Sequence, residues 1–298
     1  MGSTLYIIGN GFDLHHGIAS SYKAFGQFLR ERDRDTYDKV DRYFSVDDDF
    51  WYEFEDRLAT LNSDSLIDDA SVFLTGYGAD DWSDSAHGDY QYEINEVVEA
   101  ISTRLRARFA DWIRQLRLPS PTDIANIRLP IDPSAIFLNF NYTSSLQQLY
   151  SVPDSQVLHI HGSAANPTET LILGHGWEPE ANLDPYRIYA DPEDADMRVV
   201  EGQGLIDDYF KETFKPTEAV IESNAPFFAR LSGVTEIFVM GHSVSSVDHP
   251  YFYEVMRNVT PIARWKVSYH GSVAGVLSGM TALGVSAAHT EFATLGEF

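Results

Sequence analysis

Six short, nearly unbroken apolar runs punctuate this 298-residue sequence: Leu5-Tyr6-Ile7-Ile8, Ala135-Ile136-Phe137-Leu138, Val157-Leu158-His159-Ile160, Leu171-Ile172-Leu173, Glu236-Ile237-Phe238-Val239-Met240 and Trp265-Lys266-Val267-Ser268-Tyr269. A strand whose successive side chains are all apolar must be buried on both faces, and that happens when helices cover both sides of a parallel sheet. Each run is followed by polar or glycine residues and then by a helical pattern. The expected fold is therefore α/β, a Rossmann-type parallel sheet with helices on both faces. In such sheets ligands sit at the carboxyl ends of the strands.

Acidity interrupts this pattern. The chain has 45 acidic against 21 basic side chains, a formal charge of −24, and residues 31–100 alone hold 21 acidic and 5 basic ones. That stretch predicts an acidic helical insertion or lid over 31–119, with the Rossmann-like core formed by 1–30 and 120–298. The spacing predicts helices over 49–61 and 89–118, the second with Ile94, Val97, Val98, Ile101, Leu105, Phe109, Ile113 and Leu116 on one stripe. Glu93, Glu96 and Glu99 near its start and five arginines towards its end suit the helix dipole. Residues 62–88 read as a long loop, and 118–133, with four prolines, as a linker.

Composition excludes several functions. The acid excess disfavours nucleic-acid and anionic-membrane surfaces, which need summed Lys and Arg charge. With no cysteine there is no disulfide framework, thiolate metal site or cysteine nucleophile. The first residues lack a secretory pattern, and Tyr6 breaks a myristoylation pattern. The apolar stretch 273–285 is glycine-interrupted and too short to span a bilayer. A soluble cytoplasmic protein is expected.

The residues after the strands carry the chemistry. Gly9-Asn10-Gly11-Phe12-Asp13-Leu14-His15 follows the first; its glycines allow a tight turn and bring backbone amides close to a phosphate, although a plain strand-to-helix turn needs them equally. Asn139-Phe140-Asn141-Tyr142-Thr143 follows the second, where Asn141 could position a water or a ribose, or cap the next helix. His159 and His161 share one strand face and invite a metal reading, with His175 as third ligand; His161 beside Gly162 also suits a general base. Gly241-His242-Ser243 with Asp248 resembles a nucleophile elbow, but Ser245 stands where that motif needs glycine. Ser245 or Ser246 would cap the helix that follows.

In order along the chain, Gly9 to Asp13 with His15, Ser21 and Tyr22, then Phe140 to Thr143, His159 to Gly162, Gly174-His175, Gly241 to Ser243 with Asp248 and Tyr251, and Trp265 to Tyr269, resemble the AbiH family of bacterial abortive-infection proteins. That family is distantly similar to sirtuin-like NAD-binding proteins. The resemblance implies a sirtuin-like cleft that binds and hydrolyses NAD or a related nucleotide, with Asn141 and His161 catalytic. It implies a ligand-binding set of Gly9, Asn10, Gly11, Phe12, Asp13, His15, Tyr142, Thr143, His175, Gly241, His242, Ser243 and Asp248, in which Gly9 to Gly11 approach the pyrophosphate and Asp13 holds a ribose hydroxyl. Thr143 replaces the sirtuin Asp and zinc-binding cysteines are lacking, which argues against protein deacylation. NAD is the expected substrate, no metal is expected, and the expected partner is a small nucleotide rather than nucleic acid or membrane. A homo-oligomer or a protein partner engaging the acidic insertion stays open. The alternatives are a metal-dependent nuclease using His159, His161 and His175, and a non-catalytic nucleotide sensor.

Overall fold

The structure, a computed structural model, describes residues 3–74, 88–181 and 183–298. The chain divides into two compact units. The first comprises Met1–Ala24, Ala110–Ile172 and Pro216–Phe298; the second comprises Phe25–Phe109 and Leu173–Lys215. These boundaries differ from the expected core and insertion, because Leu173–Lys215 joins the second unit. Charge follows the observed division: the second unit has 32 acidic and 13 basic side chains, a net −19, which leaves −5 for the first.

A six-stranded, wholly parallel sheet organises the first unit: β1 (Ser3–Ile8), β2 (Ile136–Asn139), β3 (Val157–His159), β4 (Val234–Met240), β5 (Arg264–Tyr269) and β6 (Thr290–Thr294). Their order is β3-β2-β1-β4-β5-β6, so strand order reverses between β1 and β4, where open α/β sheets place their ligands. Leu5, Ile7, Leu138, Ile237, Val239 and Val267 pack on one face with Phe228, Tyr251, Phe252 and Val255. Tyr6, Ile8, Phe137 and Met240 pack on the other with Phe12, Leu146, Leu149 and Tyr150. This two-sided burial explains the unbroken apolar runs; each large side chain so covered contributes about 1.5–3 kcal/mol.

Two strand expectations need correction. Residues 171–173 form no strand; Ile172 makes a single backbone bond to His161 O (2.9 Å). In its place β6, Thr290–Thr294, pairs with β5. Residues 118–133 form turns, as a linker would, yet Ile124 and Leu129 are buried against the second face of the sheet.

Helices make up the second unit. The run expected over 89–118 forms as Asp89–Glu99, a π-helical turn Ala100–Arg104, and Leu105–Arg114. Ile94, Val97, Val98, Ile101, Leu105 and Phe109 are buried as the stripe requires. Gly202 lies against Tyr90, where a Cβ would stand 2.5 Å from the ring, so helix Met197–Thr213 packs closely on Asp89–Glu99. Of the helix expected over 49–61 only Phe54–Arg57 and a 3-10 turn, Leu58–Thr60, form. The expected loop 62–88 contains a helix, Ser63–Ser71, capped by Asn62 accepting from the Ser65 amide (3.0 Å); residues 75–87 of it lie outside the described residues. No helix of the described residues is long and apolar enough to cross a membrane.

Candidate functional site

In the first unit the ends of β1 to β4 bring most of the expected site residues together. After β1 the Gly9 amide donates to Met240 O (3.0 Å), and the Gly11 amide donates to Gly241 O (2.7 Å). A Cβ on Gly9 would lie 2.6 Å from His242 Cα. One on Gly241, at φ +69°, would lie 2.0 Å from the Phe12 nitrogen. The glycines therefore interlock two turns backbone to backbone. Two amides expected to approach a phosphate are instead bonded to the β4 turn.

That turn is itself strained. Val244 has φ +57°, a left-handed conformation costing a β-branched residue roughly 1–2 kcal/mol. Its amide donates to His242 Nδ1 (2.9 Å), and the Gly241 amide donates to Ser268 Oγ (2.6 Å) at the end of β5. Ser268, Gln147 and Ser145 escaped the sequence reading; their hydroxyl and amide groups act on backbone or buried partners that only the fold brings near.

Asp13 is fully buried. Its carboxylate accepts from Thr143 Oγ1 and Ser145 Oγ, both at 2.6 Å. Burial pushes its pKa up, against hydrogen bonds from Ser145, Thr143 and Asn141 that lower it. These contacts tie the β1 and β2 turns together and leave the carboxylate closed to a ribose, contrary to the role expected of it. Asn141 Nδ2 donates to Gly9 O (3.0 Å), completing the same clamp; Asn141 does not cap helix Ser145–Tyr150, whose N-cap is Ser144.

His159 is held at both nitrogens. Nδ1 donates to Asn141 O (2.9 Å), so Nε2 is the acceptor for Gln147 Nε2 (3.1 Å). Burial lowers its pKa. The imidazole is thus neutral and positions the β2 turn, with no lone pair left for a metal. His175 belongs to the second unit, fully buried among Trp177, Phe210 and Phe214. Among the described residues no group of three or more His, Asp or Glu is arranged to hold a metal ion. The metal triad of the nuclease alternative is not assembled.

His161 and His242 converge on Asp248. Asp248 Oδ1 lies 3.8 Å from His161 Nε2, and Oδ2 lies 3.3 Å from His242 Nε2. Because His242 Nδ1 already accepts from the Val244 amide, its proton sits on Nε2, the nitrogen nearer the carboxylate. Both rings are buried, while the Asp248 side chain is 13% exposed. Phe140 and Tyr251 pack against the His161 ring. A histidine backed by an oriented carboxylate can take a proton and hold the resulting charge.

The other expected residues divide between scaffold and rim. Phe12 is fully buried beside His16 and Tyr150. Asn10 is bonded to Ser20 O (3.1 Å) and accepts from Ser20 Oγ. His15 Nε2 lies 2.9 Å from Ile127 O, and Tyr142 donates to Ile172 O (2.7 Å). Ser243 is exposed at the turn and bonds neither histidine, so it lacks the base that a nucleophile elbow requires. Ser245 and Ser246 make no side-chain cap; a 3-10 turn, Ser246–Asp248, leads into helix His249–Asn258.

Apart from Gly174-His175, the strand-end motifs thus occur in one Rossmann-like unit around His161, Asp248 and His242. A family model described as bacteriophage abortive infection AbiH matches residues 5–269, most of the chain. The chain belongs to the AbiH family. No curated protein matches it. The AbiH match spans β1 through β5, and with them every residue of the clamp and of the His161, Asp248 and His242 group.

Proposed function

We propose that this AbiH protein acts in abortive infection of phage-infected bacteria, in the cytoplasm, by binding NAD in its Rossmann-like unit and hydrolysing it. The observation that carries this reading is the His161, Asp248 and His242 group at the carboxyl ends of β3 and β4, beside the point where strand order reverses. Nicotinamide leaves with the bonding electron pair as the C1′–N bond breaks, and positive charge develops on the ribose. A water oxygen bonds to C1′ and gives its proton to neutral His161, whose charge Asp248 then offsets. The products are nicotinamide, ADP-ribose and a proton. Asn141, tied to Gly9, acts through the turn it braces, and no metal takes part.

Incubating the purified protein with NAD and identifying the products by mass spectrometry tests this. Nicotinamide and ADP-ribose are expected, undiminished by chelator. Chelator-sensitive degradation of RNA or DNA would transfer support to the nuclease alternative, and tight nucleotide binding without turnover to a sensor.

A further inference from the structure

A groove of about 390 Å³ runs beside β3 within the first unit, between residues 158–162, the 169–172 segment and helix Thr217–Ser223. Leu158, Ile160 and Val220 supply its apolar floor. Its one carboxylate is that of Glu169. Glu169 is half-buried, and among the described residues its carboxylate enters no hydrogen bond or ion pair. Ser223 spends its only hydroxyl proton on Ala219 O (2.7 Å), and Asn224 spends one of its two Nδ2 protons on Val220 O (2.8 Å). A phosphate would meet the Glu169 carboxylate with like charge and is disfavoured, whereas an occupant that brings donors is matched to it. A partly desolvated carboxylate without donors is costly until such a ligand arrives.

The wall that holds Glu169 is fixed. Arg114 donates to Glu169 O (3.1 Å), and Ile172 bonds His161 O. Gly162, next to His161 and at φ +88°, lets the segment close in, since a Cβ there would lie 3.1 Å from Thr170 O and 3.3 Å from Glu169 Oε1. The groove thus begins one residue from His161.

We infer that this groove is a nucleoside-binding subsite in which the Glu169 carboxylate accepts both hydroxyls of a ribose cis-diol while the ring lies on the apolar floor. It rests on the reading of this unit as a nucleotide binder and assigns where the ribosyl end is held. A cis-diol matches a carboxylate with two parallel donors, and a neutral ring suits Leu158, Ile160 and Val220 better than a compact ammonium would.

Calorimetric titration of the full chain with adenosine and with 2′,3′-dideoxyadenosine tests it. Adenosine is expected to bind at least about tenfold more tightly, the scale of a hydrogen bond to a charged group. In Glu169→Gln adenosine should weaken by a similar factor, and the difference between the two nucleosides should largely vanish. Equal binding of both nucleosides, unchanged adenosine binding by Glu169→Gln, or no adenosine binding by the wild type would overturn the assignment. Binding needs no turnover. A protein that discriminates the diol but releases no nicotinamide keeps the subsite and loses the hydrolase; one that cleaves NAD without diol discrimination does the reverse.

Discussion

Asp248 Oδ2 lies 3.3 Å from the protonated Nε2 of His242 while its other carboxylate oxygen lies 3.8 Å from His161 Nε2. The strained Val244 amide fixes this tautomer by occupying Nδ1. Replacing Asp248 by Asn keeps the shape but removes the charge that would stabilise a protonated His161. Asp248→Asn is expected to slow nicotinamide release about 100-fold with little change in KM. Steady-state kinetics separates this from a binding role, in which KM would rise and kcat would hold.

Asp13 leads to a stability prediction of defined sign. Its native pKa is raised above its unfolded value, so the folded state favours the protonated form. Stability from this group is fully present below about pH 3.8 and is lost as pH rises through the native pKa. Neutral Asn removes that loss: Asp13→Asn is expected to be as stable as wild type or more so at pH 8, with its advantage shrinking towards pH 4. Asp13→Leu strands the Thr143 and Ser145 hydroxyls and should cost about 1–3 kcal/mol or more. Urea unfolding across that pH range reads both effects.

Glycine positions with positive φ are not equivalent. At Gly241 a Cβ would collide with the Phe12 nitrogen at 2.0 Å, whereas at Gly284, φ +76°, nothing lies within 4 Å. Gly284→Ala is therefore expected to cost only the conformational strain of roughly 1–2 kcal/mol. Gly241→Ala must also separate two interlocked turns, and should lower the melting temperature several times as much or prevent folding. Equal losses would mean that the turns are not interlocked.

Acid should weaken both units. Burial lowers the pKa of His16 and His159 in the first unit and of His175 in the second. A histidine with a lowered native pKa stabilises the fold above its unfolded value and loses that contribution as pH falls. Stability should drop between pH 7.5 and 5.5, and less so in His159→Gln than in wild type. Denaturant midpoints at the two pH values measure the difference.

The sheet was legible because both its faces are buried: Leu5 and Ile7 pack one way, Tyr6 and Ile8 the other, and the resulting run is hard to mistake. β6 was not, since Thr-Glu-Phe-Ala-Thr at an edge buries Ala293 but leaves Glu291 exposed. Helix Ser63–Ser71 was hidden by its Ser and Asp content; its helical signals are Asn62 as cap and the i, i+4 pair Leu66 and Ala70, both buried. The expected strand at 171–173 has the right residue types, but Leu173 falls in the second unit.

At the site, sequence spacing located the strand ends but misassigned several roles. Gly9 and Gly11 resemble a phosphate turn because close backbone approach needs the same residue whether the neighbour is a ligand or Gly241, distant in sequence. Asp13 resembles a ribose acceptor until Thr143 and Ser145 fold over it. His159 and His161 share a strand face, yet Gln147 and the Asn141 carbonyl claim the first and Asp248 faces the second. The acidic excess belongs to a unit that also includes Leu173–Lys215, a stretch whose own acidity the charge count over 31–100 left out.

Nicotinamide release from NAD, followed side by side for wild type, His161→Ala and Ser243→Ala at matched folded concentration, addresses the central claim most directly. Release by the wild type, a loss of about 100-fold or more in His161→Ala and near-normal rates in Ser243→Ala are predicted. No release by the wild type, or release that survives His161→Ala, would contradict it.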